Sequence, residues 1–187
     1  MGSRTYRVDS RIDPRVAIGP SRLGGRGVFA TERIGAGEVV VIWGGTVFTE
    51  EDVRAGRARR GSVSAIDEGL YLAGRVDEEP DVDDFMNHCC DPSVWMLDEV
   101  TLVARWEIDP GEELTADYAT WEGNEGWVSR WECACASGRC RGRVTGRDWR
   151  SRELQERYRG HFSPFIERRI ARLSDGDRAD DGGRGDG

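Results

Sequence analysis

Phe85-Met86-Asn87-His88-Cys89-Cys90-Asp91-Pro92 sets an amide, an imidazole and two thiols at four consecutive positions, then turns at Asp-Pro. Every residue from Asn87 to Cys90 carries a hydrogen-bonding or metal-binding head that needs a partner once buried. Such a run fits an ordinary strand poorly. Taken alone, it reads equally as a polar turn around a free thiol, because unpaired Cys behaves as a small core hydrophobe, or as a binding segment. Two later stretches favour the second reading: Gly111-Glu112-Glu113-Leu114-Thr115-Ala116-Asp117-Tyr118, and Cys133-Ala134-Cys135 with Cys140 beyond it.

Cys133-x-Cys135-x4-Cys140 supplies three thiolates within eight residues. A structural Zn2+ site takes four ligands, so the fourth must come from elsewhere. His161 is one option. Cys90 is the better one, because thiolate-only sites are common and it lies in the other cysteine cluster. The Gly, Ala and Ser around the loop offer no core in which unliganded thiols could bury. Five cysteines, clustered and odd in number, point to metal binding in a reducing compartment rather than a disulfide frame, and a cytoplasmic location is expected.

The 187 residues are enough for one domain with a core and appendages. Leu23-Gly24-Gly25-Arg26-Gly27-Val28-Phe29-Ala30 reads as a glycine turn between short strands. It lacks both the dinucleotide fingerprint and the P-loop pattern. Val39 to Trp43, Thr46 to Phe48, Gly69 to Ala73, Val94 to Leu97, Val100 to Trp106 and Glu113 to Tyr118 read as strands, with Val100, Leu102 and Ala104 alternating against polar neighbours. Thr49 caps a helix with acids in its first turn. Asp148 is expected to cap a helix over Trp149 to Tyr158. Ser163 and Pro164 open another, and beyond Ser174 the tail is expected to be disordered.

The formal net charge is -8, with an acidic run from Asp77 to Asp84 and a basic segment from Arg139 to Arg172. A basic partner is therefore expected, and direct nucleic-acid binding is not. All 27 basic residues are arginine. No membrane span or signal peptide is expected, since the longest apolar run, Val39 to Trp43, is too short.

The glycine turn, the run from Phe85 to Pro92, Gly111 to Tyr118 and Cys-x-Cys-x4-Cys-Arg-Gly occur in an order and rough spacing that resemble a SET domain with its post-SET zinc loop. The resemblance covers about Ile18 to Arg143. It implies a mainly β fold of short curled sheets (a β-clip) with a pseudoknot, in which the central run and the strand ending at Tyr118 thread together. The implied organisation is an N-terminal segment 1–17, a SET domain 18–120, a post-SET loop 121–143, a helical extension 144–173 and a tail 174–187.

The resemblance also implies S-adenosylmethionine as cofactor and methyl transfer to an accessible lysine of a protein or peptide. Arg26 and Gly27 would meet the cofactor through their backbone, Asn87 and His88 would hold its amino-acid and adenine parts, and Trp131 could cover the adenine face. Tyr118 would be the catalytic tyrosine. Cys90, Cys133, Cys135 and Cys140 would hold structural zinc. Glu112 and Glu113 are expected to face solvent. Ala116 stands where the family usually carries a bulky aromatic lining the lysine channel. A catalytically silent module that binds a peptide through the same groove is the alternative.

Overall fold

The computed structural model describes residues 5–181, with side chains through 173. Its elements are β1 (Arg11–Ile12), β2 (Val16–Ser21), β3 (Gly25–Ala30), β4 (Val39–Ile42), β5 (Thr46–Thr49), α1 (Glu50–Arg54), β6 (Ser64–Asp67) and β7 (Leu70–Ala73). There follow β8 (Asn87–His88), β9 (Val94–Met96), β10 (Thr101–Ala104), β11 (Glu113–Ala116), α2 (Arg152–Arg157) and α3 (Pro164–Asp181). The fold is mainly β, built of two short-stranded sheets. One runs β1-β4-β10-β9-β11-β3-β2 with β8 beside β11, and the other runs β5-β7-β6.

Local chemistry accounts for several elements. The glycine turn closes the β2–β3 hairpin, which pairs Ser21 with Gly25 and Val16 with Ala30. Thr49 forms a reciprocal capping box with Asp52 at the start of α1. Asp98 turns the chain between β9 and β10, its Oδ1 accepting from the amides of Val100 and Thr101 at 2.9 and 2.8 Å. All four β10 residues are buried, against the alternation expected from sequence. The strand lies between β4 and β9, and a central strand covered on both faces has no solvent side to mark.

The strand β11 organises the rest. It pairs antiparallel with β3 on one side and parallel with β8 and β9 on the other. Asn87 thereby lies opposite Thr115, and His88 opposite Ala116. The run that fitted a strand poorly forms a two-residue strand, made regular by its neighbour rather than by its own pattern. The chain leaves β11 before Tyr118, which begins a short 3-10 turn, Tyr118–Thr120, rather than ending the strand.

Two main hydrophobic clusters hold the molecule. Val28, Ile34, Val40, Leu102, Ile108 and Leu114 centre the first. Trp149, Leu154, Tyr158, Phe162, Phe165 and Ile166 of the extension enclose Ala119 in the second.

The extension departs from expectation at three points. Asp148 does not cap a helix: its carboxylate is held by Arg141 Nε at 2.9 Å and Thr145 Oγ1 at 2.6 Å, within a 3-10 turn at Asp148–Arg150. The helix α2 begins only after Ser151, whose ψ of 123° is extended. The third departure is that α3 continues past Ser174 to Asp181. No proline interrupts that stretch, and its one glycine costs a helix only about 1 kcal/mol. Residues 182–187 of the expected tail lie outside the described residues. No helix among the described residues is long and apolar enough to cross a membrane.

Candidate active site and cysteine cluster

A groove of about 720 Å³ is lined by Val8-Asp9-Ser10, by the acidic run and by the aromatic side chains of Trp43, Tyr118, Trp121 and Trp131. Eight carboxylates line it (Asp9, Glu50, Glu78, Glu79, Asp81, Asp83, Asp84 and Glu122) against three arginines, Arg54, Arg59 and Arg60. Burial raises the pKa of Asp83 to about 6 and also raises that of Glu122. Trp43 meets Trp121 edge-on at 5.0 Å, and Tyr118 lies 5.3 Å from Trp121. Trp131 is 41% exposed and stands edge-on to Tyr118 at 6.2 Å. Trp121, Trp127 and Trp131 thus form a wall of the groove.

The Tyr118 hydroxyl donates to the carbonyl of Met86 at 2.8 Å. Its proton is committed, so the lone pairs of its oxygen remain for a donor. Burial pushes the phenol up to about 12, and it stays protonated at neutral pH.

On the other side of the motif, Asn87 Nδ2 donates to the Arg26 carbonyl at 2.8 Å and to Glu113 Oε1 at 2.7 Å. Ser21 Oγ lies 2.8 Å from both oxygens of the same carboxylate. Glu113 therefore does not simply face solvent, as its neighbour Glu112 does: β11 aims it inward beneath the glycine hairpin. The hairpin needs its glycines there. A Cβ on Gly24 would lie 2.2 Å from Asn87 Oδ1, and one on Gly27 would lie 2.2 Å from Glu113 Oε1. Arg26 extends over the Phe85 ring at 4.1 Å.

His88 is buried, with 1% side-chain exposure. Its Nδ1 lies 3.3 Å from the Tyr118 amide, which needs an acceptor, so Nδ1 is unprotonated and Nε2–H points to Cys90 Sγ at 3.3 Å. Burial outweighs the pull of Asp117 and lowers the imidazole pKa to about 4, keeping the ring neutral. Both ring nitrogens face the protein.

The sulfurs of Cys90, Cys133, Cys135 and Cys140 all lie within 4.8 Å of one another, a set that could hold a metal ion. Cys90 and Cys133 are 3.9 Å apart. Tetrahedral Zn–S bonds of about 2.3 Å place sulfurs about 3.8 Å apart, so the spacing fits. Cys89 is not one of the four; its sulfur lies against the main chain of Asp91 and beside Cys135. His161 is also elsewhere, stacked on Trp95 at 3.5 Å with Nδ1 by the Met96 carbonyl.

Sequence reasoning missed the group between the cluster and Tyr118. Asp117, with no side-chain exposure, is gripped by both Nη atoms of Arg141 at 2.7 and 2.6 Å. The Tyr158 hydroxyl reaches the same carboxylate at 3.0 Å. The partners lie 24 and 41 residues from Asp117, and no local pattern announces such contacts.

Residues 25–119 match the SET domain family model. The rice (Oryza sativa subsp. japonica) histone-lysine N-methyltransferase TRX1 is 30% identical over 147 residues, covering 70% of this chain and 14% of the relative. An H3 lysine-4 specific histone-lysine N-methyltransferase of Yarrowia lipolytica is 33% identical over 133 residues, covering 62% and 11% respectively. The chain thus spans a small part of the curated relatives it matches. Among solved structures, a chain of the Chaetomium thermophilum polycomb repressive complex 2 superposes with a TM-score of 0.46 at 21% identity, over 55% of this chain and 15% of that one. The parallel β8–β11 pairing, the glycine hairpin and the family match over half of its length agree: this chain belongs to the SET domain family.

Proposed function

We propose that the protein is a methyltransferase that moves a methyl group from S-adenosylmethionine to a lysine side chain of a basic protein or peptide. The observation that carries this reading is Tyr118, an oxygen acceptor with its proton fixed on Met86, among the aromatic side chains that line an acidic groove. When bound, S-adenosylmethionine would supply an electrophilic methyl group on a sulfonium. Tyr118 accepts an N–H from the lysine amine and aligns its lone pair, while Trp121 and Trp131 exclude water. The carboxylates along the groove favour a lysine flanked by further basic residues and disfavour nucleic acid.

The residues around the glycine hairpin suit the cofactor. Asn87 is oriented by Arg26 and Glu113, so its Oδ1 is the acceptor left for the cofactor's ammonium group. The main chains of Arg26, Gly27 and His88 and the exposed face of Trp131 complete the set assigned to it. Cys90, Cys133, Cys135 and Cys140 would hold one structural Zn2+. Such a thiolate site suits a reducing, cytoplasmic setting. Calorimetric titration of the zinc-loaded protein with S-adenosylmethionine tests the reading: saturable binding supports it, and no heat of binding removes it.

A further inference from the structure

We infer that the C-terminal extension is part of the catalytic apparatus, with Tyr158 positioning the turn that carries Tyr118. The inference rests on the methyl-transfer reading for the role of Tyr118, but its geometry stands on its own.

The 3-10 turn Tyr118–Thr120 is three residues long, and so short a turn has little stability of its own. Its conformation is set by what grips it from outside. Asp117 Oδ1 caps it through the Ala119 amide at 3.0 Å. That carboxylate is fixed in turn by Arg141 from the cysteine loop and by the Tyr158 hydroxyl from the extension. The extension reaches the turn twice more. Ser163 N donates to the Thr120 carbonyl at 2.7 Å, and Ala119, fully buried, packs into the extension's own hydrophobic cluster.

Tyr158 also touches the central run. Its hydroxyl lies 3.2 Å from the Cys90 carbonyl, to which Arg157 Nη1 donates at 3.0 Å. A phenol has one proton, and the carboxylate of Asp117 is a stronger acceptor than a carbonyl, so the proton goes to Asp117. One buried hydroxyl thus sits between the residue before Tyr118 and the residue that opens the cysteine cluster. Tyr158 touches no reacting atom in this arrangement and acts through Asp117.

The test compares the full-length, zinc-loaded protein with Tyr158→Phe, which removes only the hydroxyl. Ile108→Val, a truncation in the other core cluster, serves as a control for general destabilisation. Two readouts are taken where denaturation curves show all three proteins folded. One is amide hydrogen exchange at Ala119, measured by NMR. The other is kcat and KM with S-adenosylmethionine and a synthetic Lys/Arg-rich peptide.

In Tyr158→Phe, exchange at Ala119 is expected to rise about tenfold and kcat to fall about tenfold, the factor that loss of one charge-assisted hydrogen bond gives. Both KM values should hold, and Ile108→Val should change neither readout. Wild-type exchange in Tyr158→Phe overturns the inference, as does faster exchange with unchanged kcat or an equal effect from Ile108→Val. Should the wild-type protein transfer no methyl group, the methyl-transfer reading falls separately, and exchange at Ala119 still decides whether Tyr158 sets the turn.

Discussion

The Tyr118 hydroxyl donates to the main-chain oxygen of Met86 at 2.8 Å, which ties the turn after β11 to the residue just before Asn87. One bond thereby relates the side of the motif proposed for the cofactor to the groove side. Tyr118→Phe keeps the ring in its aromatic setting but removes the oxygen that would orient the amine. Turnover should fall by about 10²-fold or more, while the dissociation constant for S-adenosylmethionine stays within about twofold of wild type. Single-turnover kinetics beside calorimetry separate the two; a variant as fast as wild type removes Tyr118 from the chemistry.

Asn87 is held by the Arg26 carbonyl and Glu113. Asn87→Ala deletes the acceptor assigned to the cofactor and leaves the Glu113 carboxylate short of a donor. Affinity for S-adenosylmethionine should drop by about tenfold or more, with a lowered melting temperature as well. Unchanged affinity in a folded variant would move the cofactor's amino-acid group away from Asn87.

Metal content distinguishes the cysteines. Cys90→Ser should lose its zinc, whereas Cys89→Ser and His161→Ala should keep it in full, because neither side chain belongs to the four-sulfur set. Thiolate ligands must be deprotonated, so zinc should also be released on acidification. Elemental analysis per chain gives the answer directly; full zinc in Cys90→Ser contradicts the four-cysteine site.

Much of the fold was legible where chemistry is local. The box of Thr49 and Asp52, the glycine hairpin at Gly25 and the turn at Asp98 each involve residues within a few positions of one another. Counting ligands in the cysteine loop calls for a fourth partner, and Cys90 lies with Cys133, Cys135 and Cys140. The rest depends on distant partners. Buried on both faces, β10 loses its alternation. Asp148 reads as a cap, yet Arg141 and Thr145 claim its carboxylate. Asp117 looks like an ordinary acid beside a strand, and only the folded chain brings Arg141 and Tyr158 to it. Glu113 reads as a surface residue because nothing in its neighbours in sequence reveals Asn87 and Ser21 above it.

Asp83 gives a pH signature. Burial raises its pKa from 3.8 to about 6, despite a hydrogen bond from Ser10. In the folded state it then holds its proton over a range in which the unfolded chain has lost it. Stability attributable to this group is therefore greatest below about pH 4 and declines as pH rises through about 6. Asp83→Asn should abolish that decline and raise the denaturation midpoint at pH 7. Urea titrations at several pH values check this, and a variant with the wild-type slope between pH 4 and 6 contradicts the assignment.

The central claim is methyl transfer to lysine at Tyr118, and the absence of lysine from the chain makes its test unambiguous. The zinc-loaded protein is incubated with isotope-labelled S-adenosylmethionine and a Lys/Arg-rich peptide, and the products are mapped by mass spectrometry. Since the chain carries no lysine of its own, any methyl-lysine belongs to the substrate. The account predicts labelled lysine in the peptide with wild-type protein and at least a hundredfold less, to order of magnitude about 10², with Tyr118→Phe. Label confined to other side chains, or equal lysine labelling by the two proteins, would contradict it.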